Sequence, residues 1–259
     1  MTKQLSVIVP TYDEYENIEE LCTRLFKATA KAGLEAELLI LDDESKGTEA
    51  TIGIVDDLKS RYPVRIHVRD KSVGRGLSSA VLLGFSKAKY DTILCMDADL
   101  QHEPESVPAV AEPVLTKKAE FSVGSRNVPG GGVAAWAFHR KVISAGATLL
   151  AWPLSGSTDP MSGFFCTTKE VLARGDRINP IGFKIGLEIM VRCRCKTIKD
   201  VPIMFQDRVA GESKLSTKQN FLYLMQLMAL YLDRYPAGCA MFVLGVVLFI
   251  FMLVRLAMF

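Results

Sequence analysis

Asp91-Thr92-Ile93-Leu94-Cys95-Met96-Asp97-Ala98-Asp99-Leu100-Gln101-His102 is the stretch that decides the fold. Its first half is a short apolar run with the length of a buried strand, and it ends on two carboxylates one residue apart. Similar phrases recur on either side. Leu5-Ser6-Val7-Ile8-Val9 ends at Pro10 and runs into Thr11-Tyr12-Asp13-Glu14; Glu37-Leu38-Leu39-Ile40-Leu41 runs into Asp42-Asp43-Glu44-Ser45; Glu120-Phe121-Ser122-Val123 runs into Gly124-Ser125-Arg126. A further strand spans Val64 to Val68. Between these runs the apolar residues take helical spacing, through Leu21, Leu25 and Phe26, from Thr48 to Lys59, and through Ala80, Leu83 and Phe85 after Gly74-Arg75-Gly76-Leu77. Strands alternating with helices predict an α/β fold with a mostly parallel sheet and right-handed crossovers.

Open sheets of this kind bind ligands beyond the carboxyl ends of their strands. Tyr12 and Glu14, Asp42 and Asp43, Asp97 and Asp99, and Arg126 all fall on that rim. Neither a Gly-x-Gly-x-x-Gly fingerprint nor a Walker loop is present, which argues against dinucleotides and P-loop chemistry. Asp97 and Asp99 converge on a hard cation only if the chain leaves regular strand alternation between them. Magnesium or manganese is the natural guest, because such an ion takes one or two carboxylates and completes its shell with substrate phosphate oxygens. Gln101 adds an amide oxygen. The plainer reading is that Asp99 caps the next helix.

Of 259 residues, 49% are hydrophobic and 23% charged, so the chain buries a core rather than staying disordered. The formal net charge is +2, with no block of like charge, which excludes a nucleic-acid partner. Six scattered cysteines read as reduced thiols, and the close pair Cys193 and Cys195 lacks the partner ligands of a zinc site. The N-terminus has no apolar signal segment, which places the body in the cytosol. From Ala237 to Val254 eighteen consecutive residues carry no charge. As a helix they reach roughly 27 Å at about 1.5 Å per residue, close to the thickness of a bilayer core. We therefore expect residues 237–259 to form a transmembrane anchor rather than a buried core helix, preceded over 216–236 by an amphipathic helix that the periodicity reads equally as interfacial or as packed on the core.

Together, Val9-Pro10-Thr11-Tyr12-Asp13-Glu14, Leu41-Asp42-Asp43, Met96 to His102, Gly124-Ser125-Arg126 and Asp207-Arg208-Val209-Ala210-Gly211-Glu212-Ser213-Lys214-Leu215 resemble the dolichol-phosphate mannose synthases, inverting glycosyltransferases of family 2. The likeness runs from Leu5 to Leu215. His139 to Ser144 and Asp159-Pro160-Met161-Ser162-Gly163-Phe164-Phe165 resemble the single-chain, yeast-like form. The resemblance implies a GT-A, Rossmann-like sheet flanked by helices over residues 1–215. It also implies transfer of mannose from GDP-mannose to dolichyl phosphate at the endoplasmic reticulum membrane, with the catalytic domain facing the cytosol and accessory subunits not required.

Carried over residue by residue, the resemblance puts the nucleotide at Pro10, Tyr12, Glu14, Leu41 and Asp43. The metal, Mg2+ or Mn2+, falls to Asp97, Asp99 and Gln101, and the donor nucleotide sugar to these residues with Ala98 and Arg126. Arg126 and Arg140 face the acceptor phosphate, with Asp99 and both arginines counted as catalytic. Arg208 and Lys214 reach the diphosphate or the transferred phosphate, and Lys184 is a further candidate for binding the nucleotide sugar. The acceptor chemistry agrees, since a phosphate monoester is already anionic and attacks without a general base. The sequence departs from many relatives at Glu44, where they have Gly or Asn, and at Asn127, where they have Tyr. A dolichyl-phosphate glucosyltransferase, another polyprenyl-phosphate transferase, a receiver-like signalling domain and a non-catalytic nucleotide-binding protein are the other readings.

Overall fold

The computed structural model describes residues 3–70, 72, 76–134, 138–175, 178–179, 184–206, 217–242, 244–245 and 249, with backbone alone at 138–143 and 217–218. In chain order the elements are β1 (Lys3–Thr11), α1 (Tyr15–Lys31), β2 (Leu34–Asp42), α2 (Thr48–Leu58), β3 (Val64–Val68), α3 (Leu77–Lys87), β4 (Thr92–Cys95), α4 (Val107–Leu115) and β5 (Phe121–Ser125). After them come β6 (Gly132–Val133), α5 (Phe138–Ser155), β7 (Phe165–Thr168), α6 (Lys169–Leu172), α7 (Ile185–Arg192), β8 (Ile198–Pro202), β9 (Met204–Phe205) and α8 (Thr217–Arg234).

Seven strands form one sheet in the order β3-β2-β1-β4-β7-β5-β8, and β6 and β9 make a small parallel pair beside it. β1 lies parallel to β2 over its whole length, with Val7 opposite Leu38 and Thr11 opposite Asp42. The sequence divides cleanly between two layers. β1 sends Leu5, Val7 and Val9 to one side, where Ile18, Leu21, Val55 and Val110 cover them, and Ile8 to the other. β2 splits Leu38 and Ile40 from Leu39 and Leu41, and β4 splits Leu94 from Ile93 and Cys95. A strand covered on both faces has no polar side, so these segments read as unbroken apolar runs. On the second face α3 packs so close to β1 and β2 that a Cβ on Gly84 would collide with Ile8 and sit 2.9 Å from Leu41. Only glycine fits there without shifting the strands.

The parallel sheet expected from the sequence is present, with one addition that the periodicity does not contain. β7 enters between β4 and β5 and runs antiparallel to both. Its four residues are too few for a periodic signal, and Phe165 at its start is fixed by a stacked contact with Phe121 at 5.1 Å. Removing a buried ring of this kind costs about 3–5 kcal/mol.

α8 packs Tyr223, Leu227 and Leu230 against the second layer. Tyr223, Tyr231 and Tyr235 donate their hydroxyls to the carbonyls of Ala147, Leu150 and Pro153 along α5, at 2.7, 2.8 and 2.9 Å. Helical backbone resumes at 236–242. Among the described residues no helix is long and apolar enough to cross a membrane. Most of the expected anchor, 243, 246–248 and 250–259, lies outside them.

Candidate active site

Three neighbouring strands end on the same rim, and each exit carries a non-glycine residue in the left-handed region. They are Asp13 (φ 58°) after β1, Glu44 (φ 50°) after β2 and Leu100 (φ 59°) after β4. Such residues cost energy and persist where packing over-determines them, most often at functional sites. Glu44 is also one of the two positions where the sequence departs from the pattern that the resemblance implies, and the Gly or Asn of that pattern would suit this conformation without strain. Leu100 turns the chain immediately after Asp99, past the end of β4 at Cys95.

The two carboxylates are held differently. Asp97 is 36% exposed as a side chain, while Asp99 is buried and accepts the Gln101 N–H on Oδ1 at 3.2 Å. Asp99 does not cap a helix, since the next helical turn begins at Pro104 with Glu103 in the capping position. Buried Gln101 donates its amide nitrogen to the Gln206 carbonyl at 3.1 Å. That bond commits the nitrogen and leaves the amide oxygen as a donor atom for a cation, with no hydrogen-bond donor on it among the described residues. His102 is buried between Phe164 and Phe205, and burial pushes its pKa down to about 4. Its Nδ1 accepts the Asp97 N–H at 3.4 Å, so the 3.6 Å approach to Asp97 Oδ2 is not an ion pair. Among the described residues no three His, Cys, Asp or Glu side chains form a metal cage. The donor set is two carboxylates and one amide oxygen, all hard, which fits Mg2+ or Mn2+ completed by substrate oxygens. Gly163 lies against this set, where a Cβ would stand 3.0 Å from Asp97 Oδ2.

Arg126 leaves β5 directly beside them. Its guanidinium makes a two-pronged bond to Asp159, both arms at 2.7 Å, its N–H adds a third at 3.1 Å, and its charge lies 5.2 Å from the Phe205 ring centre. Asp159 is fully buried. Lys184 donates to the Met161 carbonyl at 2.9 Å. Burial, with Arg126 nearby, pushes the ammonium down to about 8 against the pull of Asp97 and Asp159. The structure therefore brings Asp97, Asp99, Gln101, Arg126 and Lys184 to one part of the rim.

Two members of the site escape that reading. Asp159 was visible only as a motif letter without a role, and Arg69 had no motif at all. Arg69 pairs with Asp43 in a buried bond and reaches Ser79 at 2.7 Å, while the other Asp43 oxygen accepts the Gly76 N–H at 2.9 Å. Asp42 is spent on Thr48 and Thr11, which fixes the β2 exit. Pro10 and Leu41 are buried opposite one another in the paired strands β1 and β2, and Ala98 is buried in the first core layer. Tyr12 is exposed and Glu14 half-buried at the start of α1. Arg140 lies on α5 with its side chain outside the described residues, as are Arg208 and Lys214.

A cavity of about 610 Å³ opens beside Arg126, lined among others by Asn127, Val133, Ser144, Leu149 and Trp152. Its α5 wall continues onto a surface where Leu149 is 71% and Trp152 55% exposed, and α8 adds Phe221 and Met228, each 62% exposed.

The glycosyl transferase family 2 profile matches residues 6–174. The chain belongs to glycosyl transferase family 2. Within that family it is 43% identical over 228 residues to a Pyrococcus furiosus dolichol-phosphate mannosyltransferase, covering 86% of this chain and 62% of that protein. The chain thus spans less than two thirds of the archaeal relative. It is 43% identical over 258 residues to the Mycosarcoma maydis dolichol-phosphate mannosyltransferase, covering 95% of this chain and 85% of that one. The Saccharomyces cerevisiae protein of that name is 42% identical over 248 residues, covering 92% and 91%. The family resemblance read from the motifs is borne out by these relatives. Glucosyl-3-phosphoglycerate synthase from Mycobacterium tuberculosis, solved with Mn2+ and UDP, superimposes with a TM-score of 0.64 at 22% identity, over 90% of this chain and 80% of that one. Mannosyl-3-phosphoglycerate synthase from Rubrobacter xylanophilus gives 0.62 at 17%, over 90% and 75%. At such identity the two structures speak to the fold of this glycosyltransferase alone.

Proposed function

We propose that this glycosyltransferase moves mannose from GDP-mannose to the phosphate of dolichyl phosphate, with inversion at the anomeric carbon. The observation that carries the reading is the junction at Arg126, where a rim of hard oxygen donors meets a cavity walled by apolar α5 side chains. A phosphate carried on a long hydrocarbon fits that junction, because its head needs a cation and its tail needs an apolar wall. The names of the 42–43% identical relatives support both sugar and acceptor.

The chemistry is a single displacement. An acceptor phosphate oxygen bonds to the anomeric carbon while the bond from that carbon to the β-phosphate oxygen breaks, and GDP leaves with the electron pair. No proton moves, since the attacking phosphate is already ionised. Pro10, Tyr12, Glu14, Leu41 and Asp43 bind the guanine nucleotide. Arg126 and Arg140 hold the acceptor phosphate, and Lys184, Arg208 and Lys214 face the diphosphate. Asp159 fixes the plane of Arg126, so the guanidinium is oriented before substrate arrives. Mg2+ or Mn2+ at Asp97, Asp99 and Gln101 supplies neutralisation of the departing diphosphate when bound.

The exposed apolar faces of α5 and α8 rest on a lipid bilayer, and residues 237–259 anchor the chain in the endoplasmic reticulum membrane with the catalytic domain in the cytosol. Accessory subunits are not needed for catalysis. The test is lipid-linked sugar formation by the purified full chain with dolichyl phosphate and Mg2+, comparing labelled GDP-mannose with UDP-glucose. Mannolipid from GDP-mannose alone is expected. Transfer from UDP-glucose moves the assignment to a glucosyltransferase, and no transfer from either donor sinks the proposal.

A further inference from the structure

Glu188 is a carboxylate in the first turn of α7, only 2% exposed and far from any solvent that could stabilise its charge. A buried charge of this kind is tolerated only when its oxygens are fully engaged. Oε1 accepts the Asn179 N–H at 3.1 Å and Arg192 Nε at 3.2 Å, and Oε2 accepts Gln226 Nε2 at 3.0 Å. Arg192 reaches back to Asp233 at 2.7 Å, so the cluster clamps α8 at two points, Gln226 and Asp233. Gln226 Nε2 also lies 3.3 Å from the carbonyl of Lys184. One amide thus bridges the carboxylate of α7 and the backbone of the residue that precedes it.

Lys184 is the half-buried cation at the N-terminal end of α7 whose ammonium lies within electrostatic reach of Arg126, Asp97 and Asp159. Its backbone carbonyl is held by α8 and its ammonium by Met161. A shift of α8 therefore moves one end of the Lys184 residue directly. On its opposite side α8 exposes Phe221, Leu224 and Met228.

Resting on the reading of the donor site given above, we propose that Gln226 is a positioning residue that sets Lys184 against the diphosphate of GDP-mannose and ties that placement to the seating of α8. Its amide takes no part in the chemistry. It transmits the position of the lipid-facing helix to a donor-binding cation.

The test is a double-mutant cycle on GDP-mannose affinity, measured by calorimetry on the full chain with Mg2+, with mannolipid formation followed in parallel. Gln226→Met keeps the side-chain length and deletes both bonds; it is expected to weaken GDP-mannose binding by about tenfold, the range of direct couplings. Lys184→Met weakens it on its own account, and adding Gln226→Met to Lys184→Met is expected to change affinity by less than about twofold. A packing role for Gln226 gives equal factors in both backgrounds, which overturns the proposal. So does a Gln226→Met protein whose melting temperature falls while its GDP-mannose affinity stays at the wild-type value. Should Lys184→Met not fold, Lys184→Arg replaces it, with the same criterion of non-additivity. Wild-type protein that binds GDP-mannose yet forms no mannolipid would overturn the functional reading and leave the cycle on affinity intact as its own test.

Discussion

At the carboxyl rim of the sheet the charges have partners supplied by the protein itself: Asp43 with Arg69, Asp159 with Arg126, Asp42 with Thr48 and Thr11. The α5–α8 side does the reverse, leaving Leu149, Trp152, Phe221 and Met228 in water. The rim is pre-organised and gains little from further ordering, whereas the apolar side is incomplete in water and gains by being covered. The cavity at Arg126 is where the two meet, and a lipid phosphate is the kind of molecule that needs both.

The contrast breaks most sharply at Asp99. Asp99→Ala removes one of two hard carboxylates, and transfer is expected to fall by about a thousandfold or more, with the melting temperature close to wild type. Activity within tenfold of wild type would show that the rim does not work through this carboxylate.

Asp159→Asn comes next, because it removes the fully buried carboxylate that holds the Arg126 guanidinium rather than deleting a donor-side oxygen. Breaking one side of a buried pair costs about 3–5 kcal/mol. We expect a visible drop in the denaturation midpoint together with a loss of about a hundredfold in transfer, the cost of a misplaced catalytic group. A stability loss with turnover unchanged would make Asp159 purely structural.

Changing Leu149, Trp152, Phe221 and Met228 together to Ser sharpens the other half of the comparison. These side chains are mostly in water already, so the melting temperature should hold. The apparent affinity for dolichyl phosphate should drop by about tenfold, while GDP-mannose binding is unchanged. Loss of donor binding would instead mean that the two regions are one folding unit.

The smallest effect lies at the far end of the sheet. Burial tends to raise the Glu37 carboxyl, but Arg65, Ser6 and the Lys89 N–H outweigh it and hold the group below its ordinary value. A lowered carboxyl contributes stability above its unfolded value, and that contribution is lost as pH falls through the folded one. Chemical denaturation of Glu37→Gln should therefore show less acid sensitivity than wild type below pH 4.5, with transfer at neutral pH unaffected. An unchanged acid limb would assign that sensitivity to other groups.

The layered core was legible because β1, β2 and β4 are buried on both faces and announce themselves as apolar runs. The Asp97 loop was legible because carboxylates placed just past such a run have few structural uses. Asp159 and Gln226 were not, since their meaning depends on partners 33 and 38 residues away that no local pattern encodes. Arg69 escaped for the same reason, being defined by Asp43 across 26 residues. β7 was missed because its pairing is set by the sheet it enters rather than by its own four residues.

The most direct test of the account is whether donor and lipid acceptor meet at Arg126. With Mn2+ and GDP bound to the full chain in detergent, the phosphorus resonance of added dolichyl phosphate should broaden strongly through the nearby paramagnetic ion, and Arg126→Ala should abolish the broadening. A sharp acceptor resonance in the wild-type complex, with GDP and Mn2+ shown to be bound, would contradict the claim that the hard-oxygen rim and the apolar cavity form one site.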